Sequence, residues 1–283
     1  MNLVVALRAE AEPLIEYFQL ETGSARGLFT VYRGESVWLV ISGVGRVLAG
    51  AAVAHLHLVS GGEVDVPWLN VGIAGHRQLS IGNLLLASRI VEPATGRSWY
   101  PPYTLDSTVQ RSELVTVDQP ERDFPRCSAY DMEASGFYAM ASRCSTSELV
   151  QSLKVVSDNP GTTLDLSHQQ ISQLIADQLE SIATVAGELT GICRWHEKNR
   201  PTTPSLDRYL GQWHFTVTQR RRLTGLLRRW AVLNNNDPWA GLTECRGSVD
   251  VLQHLEWHLE QQPIRFSQGQ DGTLLGEPPV QEP

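Results

Sequence analysis

The sequence predicts an α/β fold with a central mixed, mainly parallel sheet, followed by a helical C-terminal extension. Short apolar runs alternate with helical patterns over about the first 190 residues, which is typical of such sheets. Hydrophobic residues make up 42% of the 283 positions, enough for a substantial core. After Gly191 the composition changes. We therefore predict an α/β domain over residues 1–191, a helical module over 192–266 and a disordered tail over 267–283, which is rich in Gly, Gln, Glu and Pro.

The individual elements follow from apolar runs and from the turns between them. Runs of about five apolar residues predict strands, and Ala- and Leu-rich stretches predict helices. The glycine turn at 42–45 separates a predicted strand from the predicted helix that follows it. The predicted strands lie at 3–7, 28–32, 37–42, 66–71, 82–88, 90–91, 113–117 and 153–157, and the helices at 9–20, 46–58, 132–140 and 167–189. Residues 95–111 predict an irregular loop, residues 195–201 a linker, and residues 205–213, 218–233 and 248–261 further helices.

Charge and cysteine usage exclude several classes of protein. The net charge of −8 argues against binding of the whole protein to nucleic acid or to a membrane surface. None of the four cysteines forms a C-x-x-C pair, which favours reduced, packed thiols in a cytoplasmic protein. Residues 1–7 lack a preceding basic region and predict a core strand, and no stretch is long and apolar enough to span a bilayer. We predict neither a metal site nor a cofactor.

Three acidic residues lie at the ends of predicted elements. Glu10 follows the first strand, Glu133 begins a helix, and Asp158 ends a strand. Open α/β sheets place their chemistry at the carboxyl ends of strands. Cleavage of an N-glycosidic bond needs an activated water, a stabilised cationic sugar and a protonated leaving base, which carboxyl groups in different environments can provide.

Five short motifs occur in the order known from one enzyme superfamily. They are V-A-L-R-A-E at 5–10, S-G-V-G-R at 42–46, V-G-I-A-G at 71–75, D-M-E-A at 131–134 and V-S-D at 156–158. Together they resemble the nucleoside phosphorylase/nucleosidase superfamily, and most of all its hydrolytic branch, the methylthioadenosine/S-adenosylhomocysteine nucleosidases. The resemblance implies a three-layer α/β/α phosphorylase-like fold, cleavage of a nucleoside and a homodimer.

The resemblance also implies roles for the polar residues of these motifs. Glu10 would activate the attacking water. Glu133 would bind the ribose hydroxyls, with Met132 packed against the sugar. Asp158 would donate a proton to N7 of the purine, oriented by Ser157. Such an aspartic acid must be protonated, so burial should raise its pKa.

The small residues of the motifs are implied to line the same site. The backbone of Val44 and Gly45 would approach the sugar or the water, and Ala74 and Gly75 would lie beside them. In a phosphorylase, the turn before the following helix would bind phosphate, with Arg46 as a possible ligand.

One part of the superfamily pattern is shortened in this chain. The segment that carries a phenylalanine stacked on the purine is reduced here to residues 115–130, and Trp99, Tyr100, Tyr103 and Phe124 are the candidates to replace that ring. The preferred hypothesis is hydrolysis of a purine nucleoside, an adenine nucleoside with a modified 5′ position. The alternatives are phosphorolysis and a catalytically reduced nucleoside-binding or regulatory protein.

The C-terminal module carries a basic stretch at residues 220–229. This stretch could contact nucleic acid or an acidic partner, but a solvated helix face is the favoured interpretation. His254 and His258 share a helix face, and we interpret that helix as an amphipathic packing helix.

Overall fold

The computed structural model of the chain describes residues 1–23, 27–162, 166–234 and 236–262. The chain divides into two compact units, Met1–Lys198 and a second that begins at Asn199. This division falls a few residues after the predicted domain boundary at residue 191. The predicted tail at 267–283 lies outside the described residues.

The first unit consists of one mixed sheet and the helices packed on it. Its strands are β1 (Asn2–Val5), β2 (Glu21–Thr22), β3 (Thr30–Arg33), β4 (Trp38–Ile41), β5 (Trp68–His76), β6 (Leu84–Glu92), β7 (Arg97–Trp99), β8 (Gln110–Thr116), β9 (Ala129–Asp131) and β10 (Val150–Asp158). Its helices are α1 (Arg8–Tyr17), α2 (Arg46–Val59), α3 (Ala134–Cys144), α4 (His168–Ala176) and α5 (Leu179–Asn199).

The sheet has the order β10-β6-β8-β9-β5-β1-β4-β3-β2, with β7 paired to β6. β10 also pairs with β5, so β5, β9, β8, β6 and β10 close into a ring. β1, β5 and β10 run parallel, and their carboxyl ends therefore meet at one edge of the sheet. In the register of β5 and β10, Gly75 lies opposite Asp158.

The alternation of side chains along the strands produces two cores. In β1, Leu3 and Val5 face a core shared with α1, α4 and α5, whereas Val4 faces a core shared with α2 and α3. The helices thus cover both faces of the sheet. The predicted α/β fold with a central mixed sheet is confirmed.

Several predicted elements differ from the structure. The region 95–111 is not irregular throughout, because β7 pairs with β6 and β8 begins at Gln110. The two predicted strands at 82–88 and 90–91 are one strand, β6, with a register shift between Ala87 and Arg89. β7 pairs with β6 as a hairpin across residues 93–96, whereas the pairing of β6 with β8 joins residues distant in sequence, which local patterns do not reveal.

Helix boundaries also differ. The helix predicted at 132–140 begins only at Ala134, because residues 129–131 form the short strand β9. The single helix predicted at 167–189 is two helices, α4 and α5, and Gln178 between them donates its side-chain amide to the carbonyl of Gly82. α5 continues to Asn199, through most of the predicted linker.

The second unit contains the helices α6 (Leu206–Gln212), α7 (Val217–Leu233), α8 (Trp239–Leu242) and α9 (Ser248–Gln261). They surround a separate apolar core that includes Tyr209, Leu223 and Leu255. In the basic stretch of α7, Arg222 pairs with Glu256 of α9. Among the helices of the described ranges, none has the length and apolarity needed to cross a bilayer.

Candidate active site

A cavity of about 240 Å³ lies in the first unit at the edge where β1, β5 and β10 end. Eight of the ten predicted site residues line it: Glu10, Val44, Ala74, Gly75, Met132, Glu133, Ser157 and Asp158. Gly45 and Arg46 are the two that do not. We call the buried group of Glu10, Asp131, Glu133 and Lys154 the charged floor, and the part around Asp158 the Asp158 end.

Glu10 is fixed by backbone donors that follow β1 and lie within β5. It stands in the first turn of α1, and its Oε2 accepts hydrogen bonds from the N–H groups of Ala6 and Leu7, both at 2.9 Å. Its Oε1 accepts one from the N–H of Ile73 at 3.0 Å. Burial raises the pKa of Glu10, although Lys154 and these hydrogen bonds oppose the shift. A buried carboxylate in fixed geometry is suited to accept a proton.

Glu133 stands at the N-terminus of α3 and is tied to the glycine turn. The N–H of Gly45 donates to its Oε1 at 2.9 Å, and Gly45 has a φ of +109°, which favours glycine. Burial raises the pKa of Glu133 to about 7, with Lys154 opposing the shift and Asp131 adding to it. Gly45 therefore acts on the site through Glu133.

Lys154 and Asp131 complete the charged floor, and our sequence reasoning missed both side chains. The Nζ of Lys154 lies 3.0 Å from Oδ2 of Asp131. The Oγ1 of Thr116 donates to Oδ1 of Asp131 at 2.8 Å, and the N–H of Ala134 donates to Oδ2 at 2.8 Å. Burial lowers the pKa of Lys154, but the three carboxylates outweigh it and the net shift is upward. The available signal was a lysine inside the apolar run of β10.

Asp158 occupies a less polar environment. The hydroxyl of Ser157 donates to its Oδ1 at 2.5 Å. Burial raises the pKa of Asp158, and only this hydrogen bond opposes the shift. The side-chain amide of Asn159 donates to the carbonyls of His76 and Leu79 at 2.5 and 2.7 Å, which fixes the backbone after the strand. A carboxyl group with a raised pKa at a cavity wall can act as a proton donor.

Of the four aromatic candidates, Phe124 is the one that lines the cavity, and Tyr130 lines it as well. Phe124 is 2% exposed, has a φ of +45°, and meets Tyr130 edge to face at 5.7 Å. A Cβ added to Gly75 would lie 2.5 Å from the Phe124 ring and 2.7 Å from Oδ2 of Asp158. Position 75 therefore needs glycine so that the ring and the carboxyl group can stand side by side. Sequence spacing did not separate Phe124 from the other candidates.

The other three aromatic candidates lie elsewhere. Tyr100 and Tyr103 are exposed, and their rings are covered by Arg89 and Arg111 at 5.6 and 4.2 Å. Trp99 packs against the core that contains α2 and α3.

Arg46 does not line the cavity and is held by two carboxylates. Its NH1 pairs with Oε1 of Glu92 at 2.7 Å and its Nε with Oδ1 of Asp118 at 2.9 Å. With two carboxylates as partners, this guanidinium is not arranged as an anion ligand. Arg77 donates to the carbonyls of Phe124 and Pro125 and so anchors the segment that carries the ring.

The side chains that commonly bind metal ions do not cluster in the described ranges. Within the ranges given above, His, Cys, Asp and Glu residues form no group of three that could hold a metal ion. The close pair His254 and His258, whose ring centroids are 4.4 Å apart, has no third ligand of these types there.

Comparison with known proteins supports the fold. No protein-family model and no curated protein matches the chain. A solved structure of the Arabidopsis thaliana 5′-methylthioadenosine nucleosidase is similar at 19% identity with a TM-score of 0.55, over 67% of this chain and 95% of that one. The Helicobacter pylori 5′-methylthioadenosine/S-adenosylhomocysteine nucleosidase is similar at 18% identity with a TM-score of 0.54, over 66% and 97%.

A nucleosidase named for another substrate has the same fold. The futalosine hydrolase of Helicobacter pylori is similar at 15% identity with a TM-score of 0.52, over 66% of this chain and 98% of that one. The chain thus has the fold of these nucleosidases over nearly their whole length. The fold that the five motifs implied is confirmed.

Proposed function

We propose that the protein hydrolyses the N-glycosidic bond of a purine nucleoside, an adenine nucleoside with a modified 5′ position. The observation that carries this proposal is the convergence of Glu10, Glu133 and Asp158, from three separate elements, on one cavity that also contains the ring of Phe124. The likeness in fold to methylthioadenosine nucleosidases and a futalosine hydrolase agrees with it.

The environments of the three acids suit three steps of this reaction. Asp158 gives its proton to N7 of the base as the C1′–N9 bond breaks and the bonding electrons move to the base. Glu133 holds the ribose hydroxyls and stabilises positive charge on the sugar. Glu10 takes a proton from water, whose oxygen bonds to C1′. The products are the free base and the sugar, and the protons balance when Glu10 and Asp158 exchange protons with solvent.

Phe124 gives this proposal a surface for the base. Its ring stands beside Asp158 across Gly75, so a purine stacked on the ring would present an edge to that carboxyl group. This position supports an active enzyme over a catalytically reduced binding protein, the alternative that the shortened segment suggested.

The ion pairs of Arg46 favour hydrolysis over phosphorolysis. A phosphorylase must hold phosphate beside the sugar, and the cation nearest the glycine turn is engaged by Glu92 and Asp118. Phosphate would have to displace two carboxylates to use it.

We further propose that the protein is a cytoplasmic homodimer. The four cysteines are free thiols, which suits a reducing compartment. α2 exposes apolar side chains, with Val47 77% and Leu58 75% accessible, and Val44 just before it is both 46% exposed and part of the cavity wall. A second copy on this face would cover the apolar patch and the cavity edge together. Light scattering on the wild type and on Val47→Glu tests this: dimer for the first and monomer for the second are expected.

The decisive experiment is base release from a panel of nucleosides, followed by chromatography with and without phosphate. The panel comprises methylthioadenosine, adenosylhomocysteine, 5′-deoxyadenosine, adenosine and inosine. We expect release of adenine without phosphate. A requirement for phosphate would establish phosphorolysis, and binding by calorimetry without release of base would establish a binding protein.

A further inference from the structure

The charged floor holds more buried charge than the proposed reaction uses. Glu10, Asp131, Glu133 and Lys154 are 2%, 4%, 6% and 1% exposed, and they come from α1, β9, the start of α3 and β10. The reaction assigns roles to the two glutamates only. A buried lysine and a third carboxylate need a separate explanation, because taking charges out of water is costly.

The ammonium of Lys154 faces all three carboxylates. Its Nζ lies 3.0 Å from Oδ2 of Asp131 and 3.9 Å from Oε2 of Glu133. Gly72 of β5 is its neighbour in the sheet, and a Cβ added there would lie 2.8 Å from Oε1 of Glu10 and 3.2 Å from Nζ. The missing side chain at position 72 thus opens the space in which Glu10 and Lys154 face each other.

The charges in this group do not cancel if every acid is ionised. Three carboxylates and one ammonium sum to −2, which dry surroundings disfavour. Asp131 also accepts from the Thr116 hydroxyl and from the first N–H of α3, so it is bound as the charged partner of Lys154. The ion pair with Asp131 therefore reduces the electrostatic stabilisation that Lys154 gives to the two glutamates.

We propose that Lys154 and Asp131 are a positioning pair for the two glutamates: Lys154 supplies the positive charge that keeps Glu10 able to accept a proton, and Asp131 fixes the ammonium and limits its effect. This inference rests on the proposed function. It explains why a lysine stands in the middle of a buried strand, and why residue 72 carries no side chain.

Among the residues that the structure describes, few other charged groups lie near the floor. Asp158 and Glu121 line the same cavity, and the guanidinium of Arg46 is turned to Glu92 and Asp118. The carboxylates closest to Lys154 are therefore those of the floor. A change of charge at either member of the pair should mainly shift the pKa values of the two glutamates.

The pH profile of kcat separates a positioning role from a structural one. Without the ammonium in Lys154→Met, Glu10 should keep its proton to higher pH, so the acidic limb should move up by about one pH unit, and activity at a pH on that limb should fall about tenfold. With one negative charge less in Asp131→Asn, the limb should move down. Lys154→Met/Asp131→Asn should lie between them.

The chain offers a matched control. Lys198 is its other lysine and is exposed at the end of α5, so Lys198→Met should leave the profile unchanged. Thermal unfolding checks that each variant is folded. If Lys154→Met does not fold, Asp131→Asn and the double variant carry the test. The proposal would be overturned if the acidic limb of the pH profile stayed at the same pH in both single variants, or moved in the same direction in both.

A second measurement does not depend on activity. Carbon-13 NMR titration of the glutamate carboxyl groups in the ligand-free protein should show the Glu10 and Glu133 midpoints moving up in Lys154→Met and down in Asp131→Asn. Such shifts without base release from any nucleoside would refute the proposed function and leave the pair intact. Unmoved midpoints would refute the pair, whatever the enzyme cleaves.

Discussion

The charged floor and the Asp158 end of the cavity hold their carboxyl groups in different ways. In the floor, Glu10 and Glu133 are buried but receive backbone hydrogen bonds and face the ammonium of Lys154. At the other end, Asp158 has the hydroxyl of Ser157 and the ring of Phe124 beside it. The difference teaches how one cavity can provide both a proton acceptor and a proton donor. Burial raises the pKa of all three acids, but in the floor an ammonium and backbone donors oppose the shift, whereas at Asp158 only the Ser157 hydroxyl opposes it.

The sharpest test of this contrast is Asp158→Asn. The amide keeps the shape of the side chain and a partner for Ser157 but has no acidic proton, so kcat should fall by about 10²–10⁴ while the fold is retained. Steady-state kinetics and thermal unfolding measure the two effects. Asp177→Asn, at an exposed aspartate at the end of α4, is the control. If Asp158→Asn keeps most of the wild-type kcat, this carboxyl group is not the donor.

A smaller effect is expected at the aromatic ring. Phe124→Leu keeps an apolar side chain but removes the flat face, so kcat/KM should fall about 10- to 100-fold, in line with the roughly 1–3 kcal/mol that stacking contributes per base. Phe124→Tyr should keep most of the activity. Tyr103→Leu, at an exposed ring outside the cavity, is the matched control. Equal activity of Phe124→Leu and wild type would show that the base binds elsewhere.

The floor should also make stability depend on pH. Burial raises the pKa of Glu133 from the ordinary glutamate value of 4.5 to about 7, so the folded state binds more protons than the unfolded state between these values. The free energy of unfolding should therefore be highest below about pH 4.5 as far as this group is concerned, and should fall as pH rises to about 7, by roughly 1–3 kcal/mol. Burial of Glu10 acts in the same direction.

Urea unfolding of the wild type and of Glu133→Gln across this pH range measures the effect. The neutral amide removes the titration, so the curve of the variant should be flatter. Parallel curves for the two proteins would mean that Glu133 titrates alike in the folded and unfolded states.

The two regions also differ in how far the sequence could predict them. The glutamates and Asp158 stand in short motifs at element ends, and eight of the ten expected residues line the cavity. Lys154 and Asp131 were missed as partners because their contact joins β10 to β9. β9 has only three residues, and no local sequence pattern predicts it. Phe124 could not be chosen among four aromatic residues, because its position depends on its own positive φ and on the absence of a side chain at Gly75.

The same limit applies to the fold. The apolar runs in β1 and β10 predicted strands correctly, because both strands are buried along their length. β9 exists only through pairing with β5 and β8, so only the folded sheet reveals it, whereas β7 forms a local hairpin with the end of β6. The predicted irregular loop at 95–111 was wrong at β7 and at the start of β8, and residues 100–109 are irregular as predicted.

The smallest effect is expected from removing the second unit. All residues that line the cavity lie within Met1–Lys198, and the second unit has its own apolar core around Leu223 and Leu255. A fragment of residues 1–199, which keeps the whole of α5, should therefore fold and retain kcat and KM within a few-fold of the full chain. Circular dichroism, thermal unfolding and base release measure this. An unfolded or inactive fragment would mean that the second unit is needed to maintain the cavity. The different environments of the charged floor and the Asp158 end would then depend on both units.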